Sequence, residues 1–174
     1  STEKPLVLCI AGNLEEERKG GNILKEVLHS KFEDVNFLLI GRTTDSIADH
    51  KENIYSLGFI QDELTMQIAY NAADLVIHPA PVDNLPNTVA EAMSAGTPIL
   101  AFQTGGLPEM VVPGKSGWLV PKISAQLMAQ ELHSIVKSKS YKNLRNSTKE
   151  LAEQLFAPKE IGKQYMELIQ EIVS

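Results

Sequence analysis

Strand-length runs alternate with helix-period segments along most of the chain, and that alternation limits the possible folds more than any other feature. Leu6 to Ala11, Val35 to Ile40, Ile54 to Leu57, Asp74 to His78, Ile99 to Phe102 and Gly117 to Val120 read as six short strands. Between the first two, Ile23, Leu24, Val27 and Leu28 recur at helical spacing. Asp62 offers a cap to a helix from Glu63 to Ala72 with Leu64, Ile68 and Ala69 inward, and another helix runs from Pro86 to Ala95, stopped by Gly96. Ser124 to Lys137, Tyr141 to Leu155 and Glu160 to Val173 form a helical tail. The strands are apolar throughout rather than alternating, as burial on both faces requires. Repeated units of this kind predict an α/β fold: a Rossmann-like open parallel sheet of about six strands, with helices on both faces and right-handed crossovers, as a single domain over 1–174.

A chain of 174 residues with 43% hydrophobic side chains can bury a core without staples. Its net charge of -6, from 16 Lys plus Arg against 22 Asp plus Glu, argues against a broad nucleic-acid footprint and against contact with an anionic membrane. A local cationic pocket remains compatible with that charge. No apolar run approaches the roughly 18 residues of a membrane span. The one cysteine, Cys9, sits inside a strand and reads as a small core hydrophobe; a chain without a disulfide pair fits a cytoplasmic setting. Ser1 to Lys4 run at once into a strand, as in a piece of a longer protein.

Ligands of open parallel sheets bind outside the carboxyl ends of the strands. Four loops are expected there: Gly12 to Gly21, Gly41 to Asp45, Pro79 to Pro86, and Gln103 to Pro113. The first lacks the spacing of both the dinucleotide fingerprint and the P-loop. It carries Arg18 and Lys19 beside Gly20 and Gly21, where a helix opens, and a cation there can hold a phosphate alongside free backbone N–H groups. A solvated charge cluster with Glu15 to Glu17 is the competing reading.

The stretch from Pro79 to Pro98 is the densest in information. On a helical wheel from Pro86, Val89, Ala92, Met93 and Gly96 share the core side, while Asn87, Glu91 and Ser94 lie opposite. Glu91 then projects only about 6 Å along the axis from Asn87. A carboxylate there can accept two hydroxyl protons, as in the grip on a ribose, or can be an ordinary exposed helical Glu. The loop Gln103 to Gly117 has a glycine pair, Gly105 and Gly106, where backbone can approach a ligand, and Pro108 starts a short helix. Asp83 and Glu109 are candidate paired carboxylates, with no spacing that fixes their proximity. His29, His50 and His133 sit on helical or polar stretches; His78 ends a strand on the ligand edge and reads as structural, with no evident partner. No spacing of metal ligands or of a nucleophile elbow is present.

Three ordered stretches resemble a known family: Ala72-Ala-Asp-Leu-Val-Ile-His-Pro79, then Asp83-Asn-Leu-Pro-Asn-Thr-Val-Ala-Glu-Ala-Met-Ser-Ala-Gly-Thr-Pro-Ile-Leu-Ala101, then Gly105-Gly-Leu-Pro-Glu-Met-Val-Val-Pro-Gly114 with Gly117-Trp-Leu-Val120. They are similar to the C-terminal, donor-binding lobe of group 1 (family 4) glycosyltransferases, retaining enzymes of the two-lobed GT-B architecture. The resemblance implies that the family's two-acid element falls on Asp83, which meets the transferred sugar as the catalytic residue, and on Glu91, which holds the ribose. Asn84, Leu85, Pro86 and Asn87 would meet the hexose and pyrophosphate of the donor. The family's diphosphate-binding lysine falls on Lys19. The arginine that usually pairs with it falls on the neutral Asn13, leaving Lys19 and Arg18 to neutralise the phosphates. Phe59 occupies the base-contacting segment, as a base contact or as a lid on the core.

The resemblance also implies an N-terminal acceptor lobe that this chain lacks. The last helix, with Phe156, Ile161, Tyr165, Leu168 and Ile172, either returns toward that lobe or packs on the core. The expected function is binding of a nucleotide-diphosphate sugar for hexosyl transfer to a saccharide or lipid-linked acceptor, with no metal and no further cofactor. The same fold would also serve a nucleotide-sugar epimerase, a phosphorylase lobe or a non-catalytic binding module.

Overall fold

The computed structural model describes residues 4–43 and 52–173. His50 and the end of the loop from Gly41 to Asp45 lie outside the described residues. Six strands form one sheet: β1 (Leu6–Asn13), β2 (Asn36–Arg42), β3 (Ile54–Ser56), β4 (Leu75–His78), β5 (Ile99–Phe102) and β6 (Gly117–Val120). Their spatial order is β3-β2-β1-β4-β5-β6, and every neighbouring pair is parallel. The chain works outward from β1 to β3, then returns to β4 on the other side of β1. The crevice between β1 and β4 is therefore the topological switch point, where ligands of such sheets bind.

Alternation along each strand divides the core. Val7, Cys9, Phe37, Leu39, Leu75, Ile77, Leu100 and Phe102 point to one face, where helices α1 (Gly21–His29) and α5 (Ala125–Ser138) cover them. Leu8, Ile40, Val76, Ile99 and Ala101 point to the other, under α2 (Glu63–Ala72), α3 (Asn87–Ser94), the short α4 (Leu107–Met110) and α6 (Arg145–Phe156). Cys9 is fully buried, and burial pushes its thiol pKa far up, so it packs as an inert hydrophobe.

Several expectations need correction. Helix α2 buries Ala69 and Tyr70, with Met66 packed beside them, whereas Leu64 and Ile68 are mostly exposed. Residues 66, 69, 70 and 73 form the inward stripe, and 64 and 68 fall on the far side of the wheel. Strand β1 continues through Gly12 and Asn13 with a register shift after Ile10, so the first loop starts later than its composition implies. Tyr141 lies in a 3-10 turn (Ser140–Asn143), and α6 starts only at Arg145.

The final helix, α7 (Pro158–Val173), buries no residue. Tyr165, Met166, Leu168, Ile169 and Ile172 are all at least half exposed, so the core-packing alternative does not hold for α7, whereas Phe156 ends α6 and packs against the core. Among the described residues, no helix is long and apolar enough to cross a membrane.

Candidate functional site

Two loops meet across the switch point. After β1 the chain makes a 3-10 turn, Glu17–Lys19, and then passes through Gly20 in the left-handed region (φ 82) into α1. A Cβ on Gly20 would lie 2.1 Å from the Pro79 carbonyl oxygen, so only glycine lets this turn press against the loop leaving β4. The contact sets Lys19 over the second loop. Its Nζ donates to Asp83 Oδ2 at 2.8 Å, with the two side chains 28% and 14% exposed.

The loop from Pro79 to Pro86 is held from its other side by the segment after β5. Cβ atoms on Gly105 and Gly106 would lie 2.0 Å and 1.8 Å from the carbonyl oxygens of Asp83 and Asn84, and the Gly106 N–H donates to the Asp83 carbonyl at 3.1 Å. The glycine pair thus allows close approach of backbone to backbone. Glu109 is exposed, and among the described residues it makes no hydrogen bond or ion pair with Asp83. The two carboxylates expected as a pair are therefore not paired.

His78, the last residue of β4, completes the cluster. Its side chain is 6% exposed, and Nε2 lies 3.6 Å from Asp83 Oδ2, too long for a hydrogen bond. Burial, reinforced by the Lys19 charge and opposed by Asp83, pushes its pKa down to about 4, so the imidazole is neutral near pH 7. For Asp83, burial pulls the carboxyl upward, but the Lys19 hydrogen bond and charge prevail and hold it below the usual carboxylate range.

Two buried side-chain polar atoms have no partner among the described residues: His78 Nε2 and Thr104 Oγ1. Both sit at the carboxyl edge of the sheet, one ending β4 and one following β5. Orphaned buried polar atoms are rare, and both lie at the edge where ligands of such sheets bind. A groove of about 910 Å³ opens at the opposite edge, lined by Lys4, Lys31, Phe32 and His133, and none of these edge residues contributes to it.

Helix α3 carries the second acid. Val89, Ala92 and Met93 are fully buried, as the wheel predicts, while Asn87, Glu91 and Ser94 face outward. Pro86 occupies the N-cap position, and no side chain caps this helix, so its first turn presents backbone N–H groups to the loop that bears Asp83. Glu91 lines a groove of about 750 Å³ between α2 and α3, together with Gln67, Tyr70 and Ala90. The buried Tyr70 hydroxyl donates to Glu91 Oε2 at 2.7 Å; burial and that hydrogen bond raise the tyrosine pKa, so it remains a donor.

The remaining expected residues spread out. Arg18 is 68% exposed and pairs with Glu16 at 2.9 Å, turned away from the Lys19–Asp83 pair. Asn13 Oδ1 accepts from the Glu15 N–H at 2.9 Å and shapes its own turn. Asn84 and Leu85 are exposed on the loop. Phe59 is 47% exposed, with the Arg42 guanidinium 5.0 Å from its ring centroid, and is not a lid on the core. Tyr70, Arg42 and the partnership of His78 escaped the sequence reading. The signals were a tyrosine on the inward stripe of α2, a cation at the carboxyl end of β2, and a histidine directly ahead of the acid-bearing loop. Among the described residues, no group of three or more His, Cys, Asp or Glu side chains could hold a metal ion.

Comparison with known proteins bears on the fold and the family. The family model described as "Glycosyl transferases group 1" matches residues 5–138. WcaL of Salmonella typhimurium, named for colanic acid biosynthesis as a glycosyltransferase, is 33% identical over 93 residues, 52% of this chain and 23% of that protein. Sucrose-phosphate synthase from Thermosynechococcus elongatus superposes with a TM-score of 0.80 at 24% identity, covering 98% of this chain and 46% of that one. Anabaena HepE, solved in complex with UDP, gives 0.79 at 22% identity, covering 97% and 49%. The chain thus spans about a quarter of that curated relative and about half of the solved structures, and its fold is that of a GT-B glycosyltransferase lobe. With the family model matching most of its length, the chain belongs to the group 1 glycosyltransferases.

Proposed function

We propose that this chain is the donor-binding lobe of a retaining hexosyltransferase that takes a nucleoside diphosphate sugar. The observation that carries the reading is the meeting of Lys19 and Asp83 at the switch point, 2.8 Å apart, a cation for a diphosphate beside an acceptor for a sugar hydroxyl. Glu91, steadied by Tyr70, supplies the carboxylate for the ribose, and the loop from Asn84 to Asn87 lies between the two acids. HepE, which shares the fold, was solved with UDP.

In this reading the bond between the anomeric carbon and the diphosphate oxygen breaks, the acceptor hydroxyl oxygen bonds to that carbon, and the hydroxyl proton passes to the departing diphosphate. Charge gathers on the departing diphosphate, and Lys19 with the uncapped start of α3 offsets it. Asp83 accepts a hydrogen bond from the hexose and holds it in register. No cofactor beyond the nucleotide sugar is called for where Lys19 and the helix N-terminus neutralise the diphosphate. The acceptor, a saccharide or lipid-linked saccharide, is bound by an N-terminal lobe belonging to a longer, cytoplasmic protein. The exposed apolar stripe of α7 suits contact with that lobe.

Thermal-shift screening of the chain against nucleoside diphosphates and their sugars tests this. Stabilisation by at least one nucleoside diphosphate, with no sugar transfer by the chain alone, is expected. Failure of every nucleotide to stabilise the chain, or efficient transfer by it, would contradict the proposal.

A further inference from the structure

We propose that His78 is a positioning residue that takes over Asp83 when a diphosphate draws Lys19 away. The inference rests on the donor-binding reading above and concerns what that reading leaves unbalanced. Asp83 Oδ2 has the Lys19 ammonium at 2.8 Å and the His78 imidazole Nε2 at 3.6 Å. A diphosphate carries more charge than a carboxylate and competes for the same ammonium. Once Lys19 turns to it, the Asp83 carboxylate, 14% exposed, stands beside new negative charge with its strongest donor gone. The Asn84 backbone N–H still reaches that carboxylate, but loss of its charged partner is costly.

His78 Nε2 is the group placed to answer. It is buried and unpartnered, an arrangement that makes sense where another state of the site satisfies it. The imidazole is fixed on β4, whose His78 pairs in register with Ala101 of β5, so the loop-borne Asp83 makes the adjustment. Closing 3.6 Å to an ordinary hydrogen bond needs a shift of under about 1 Å. The charged groups facing His78 are Lys19, from the turn before α1, and Asp83, from the loop after β4; the other residues around its pocket, Ile10, Ala11, Leu14, Leu24 and Pro79, bring no charge. A neutral imidazole carries one N–H, and the carboxylate selects the tautomer that bears it on Nε2. Asp83 thereby keeps its orientation toward the hexose while Lys19 changes partner.

Calorimetric titration of the chain with UDP and GDP, and with uridine and guanosine, tests the hand-over. If the wild type binds neither diphosphate, the donor-binding reading itself fails and this inference falls with it. Where it binds, His78→Leu is expected to weaken the diphosphate about tenfold and to leave the matching nucleoside unchanged. His78→Gln, which keeps an N–H donor, should recover most of the loss. In an Asp83→Asn background, where no carboxylate is stranded, His78→Leu should cost nothing further. Unchanged diphosphate affinity in His78→Leu, equal losses for nucleoside and diphosphate, or the same loss in the Asp83→Asn background would each overturn the proposal. His78→Phe repeats the cycle should the leucine variant not fold.

Discussion

Lys19 and Asp83 stand 64 positions apart in sequence and 2.8 Å apart in space, and their ion pair ties the loop after β1 to the loop after β4 across the switch point. The diphosphate proposed to bind here competes with Asp83 for the same ammonium. Free and occupied sites therefore differ in who holds the carboxylate, and most of the expected mutant behaviour follows from that competition.

Asp83→Asn removes the competitor without changing the shape of the loop. A partly exposed pair of this kind contributes roughly 0.2–1 kcal/mol. UDP or GDP should accordingly bind the variant about two- to fivefold more tightly, while the longer protein carrying it loses transfer. Calorimetry on the chain, with turnover by the full-length protein, checks both halves. Weaker diphosphate binding in Asp83→Asn would contradict the competition.

Acid should destabilise the fold through His78. Its folded pKa of about 4 lies below the ordinary 6.5, so between those values the unfolded chain binds the additional proton. Stability then rises with pH across that window and is lost as pH falls, by roughly 3 kcal/mol in total. Asp83, held below the usual range, adds loss in the same direction at lower pH. Urea midpoints from pH 4 to pH 8 should show a flatter profile for His78→Leu than for the wild type. Parallel profiles would contradict the buried neutral imidazole.

Tyr70→Phe keeps the buried ring and deletes only the hydroxyl that donates to Glu91 at 2.7 Å. A hydrogen bond of about 0.5–1.5 kcal/mol is at stake, so nucleoside and nucleoside diphosphate should both weaken, about two- to tenfold. The preference for a ribose over a 2′-deoxyribose nucleoside should shrink with it, and the melting temperature should move little. An undiminished preference would place the ribose away from Glu91.

What the sequence disclosed, and what it hid, divides along physical lines. Strands β4 and β5 and the inward face of α3 were legible because continuous burial and a clean 3.6-residue period leave one solution. The face of α2 was misread because Leu64 and Ile68 are apolar yet exposed, while the inward stripe includes a tyrosine whose hydroxyl has a partner on another helix. Asp83, Glu91 and Lys19 could be named from the family pattern. Their partners could not, since His78 beside Asp83 and Tyr70 on Glu91 are products of tertiary packing. The glycine pair after β5 was visible, but its target, the backbone of Asp83 and Asn84, emerges only from how the loops stack.

Helix α7 buries nothing, so its removal should barely disturb this domain. A chain ending at Ala157 is expected to melt within a few degrees of the full chain and to show less self-association, because the exposed apolar stripe is gone. Differential scanning calorimetry with sedimentation measures both. A large drop in melting temperature would mean that α7 is part of the core.

The most direct test compares Lys19→Ala and Glu91→Ala by calorimetric titration with UDP and GDP and with the corresponding nucleosides, at two salt concentrations. Glu91→Ala should weaken nucleoside and diphosphate alike, by about 10- to 150-fold for a charge-assisted grip of roughly 1.5–3 kcal/mol, with little dependence on salt. Lys19→Ala should weaken the diphosphate and hardly touch the nucleoside, and added salt should shrink that difference. Equal losses for both ligands in Lys19→Ala, or no loss in Glu91→Ala, would show that the nucleotide lies elsewhere.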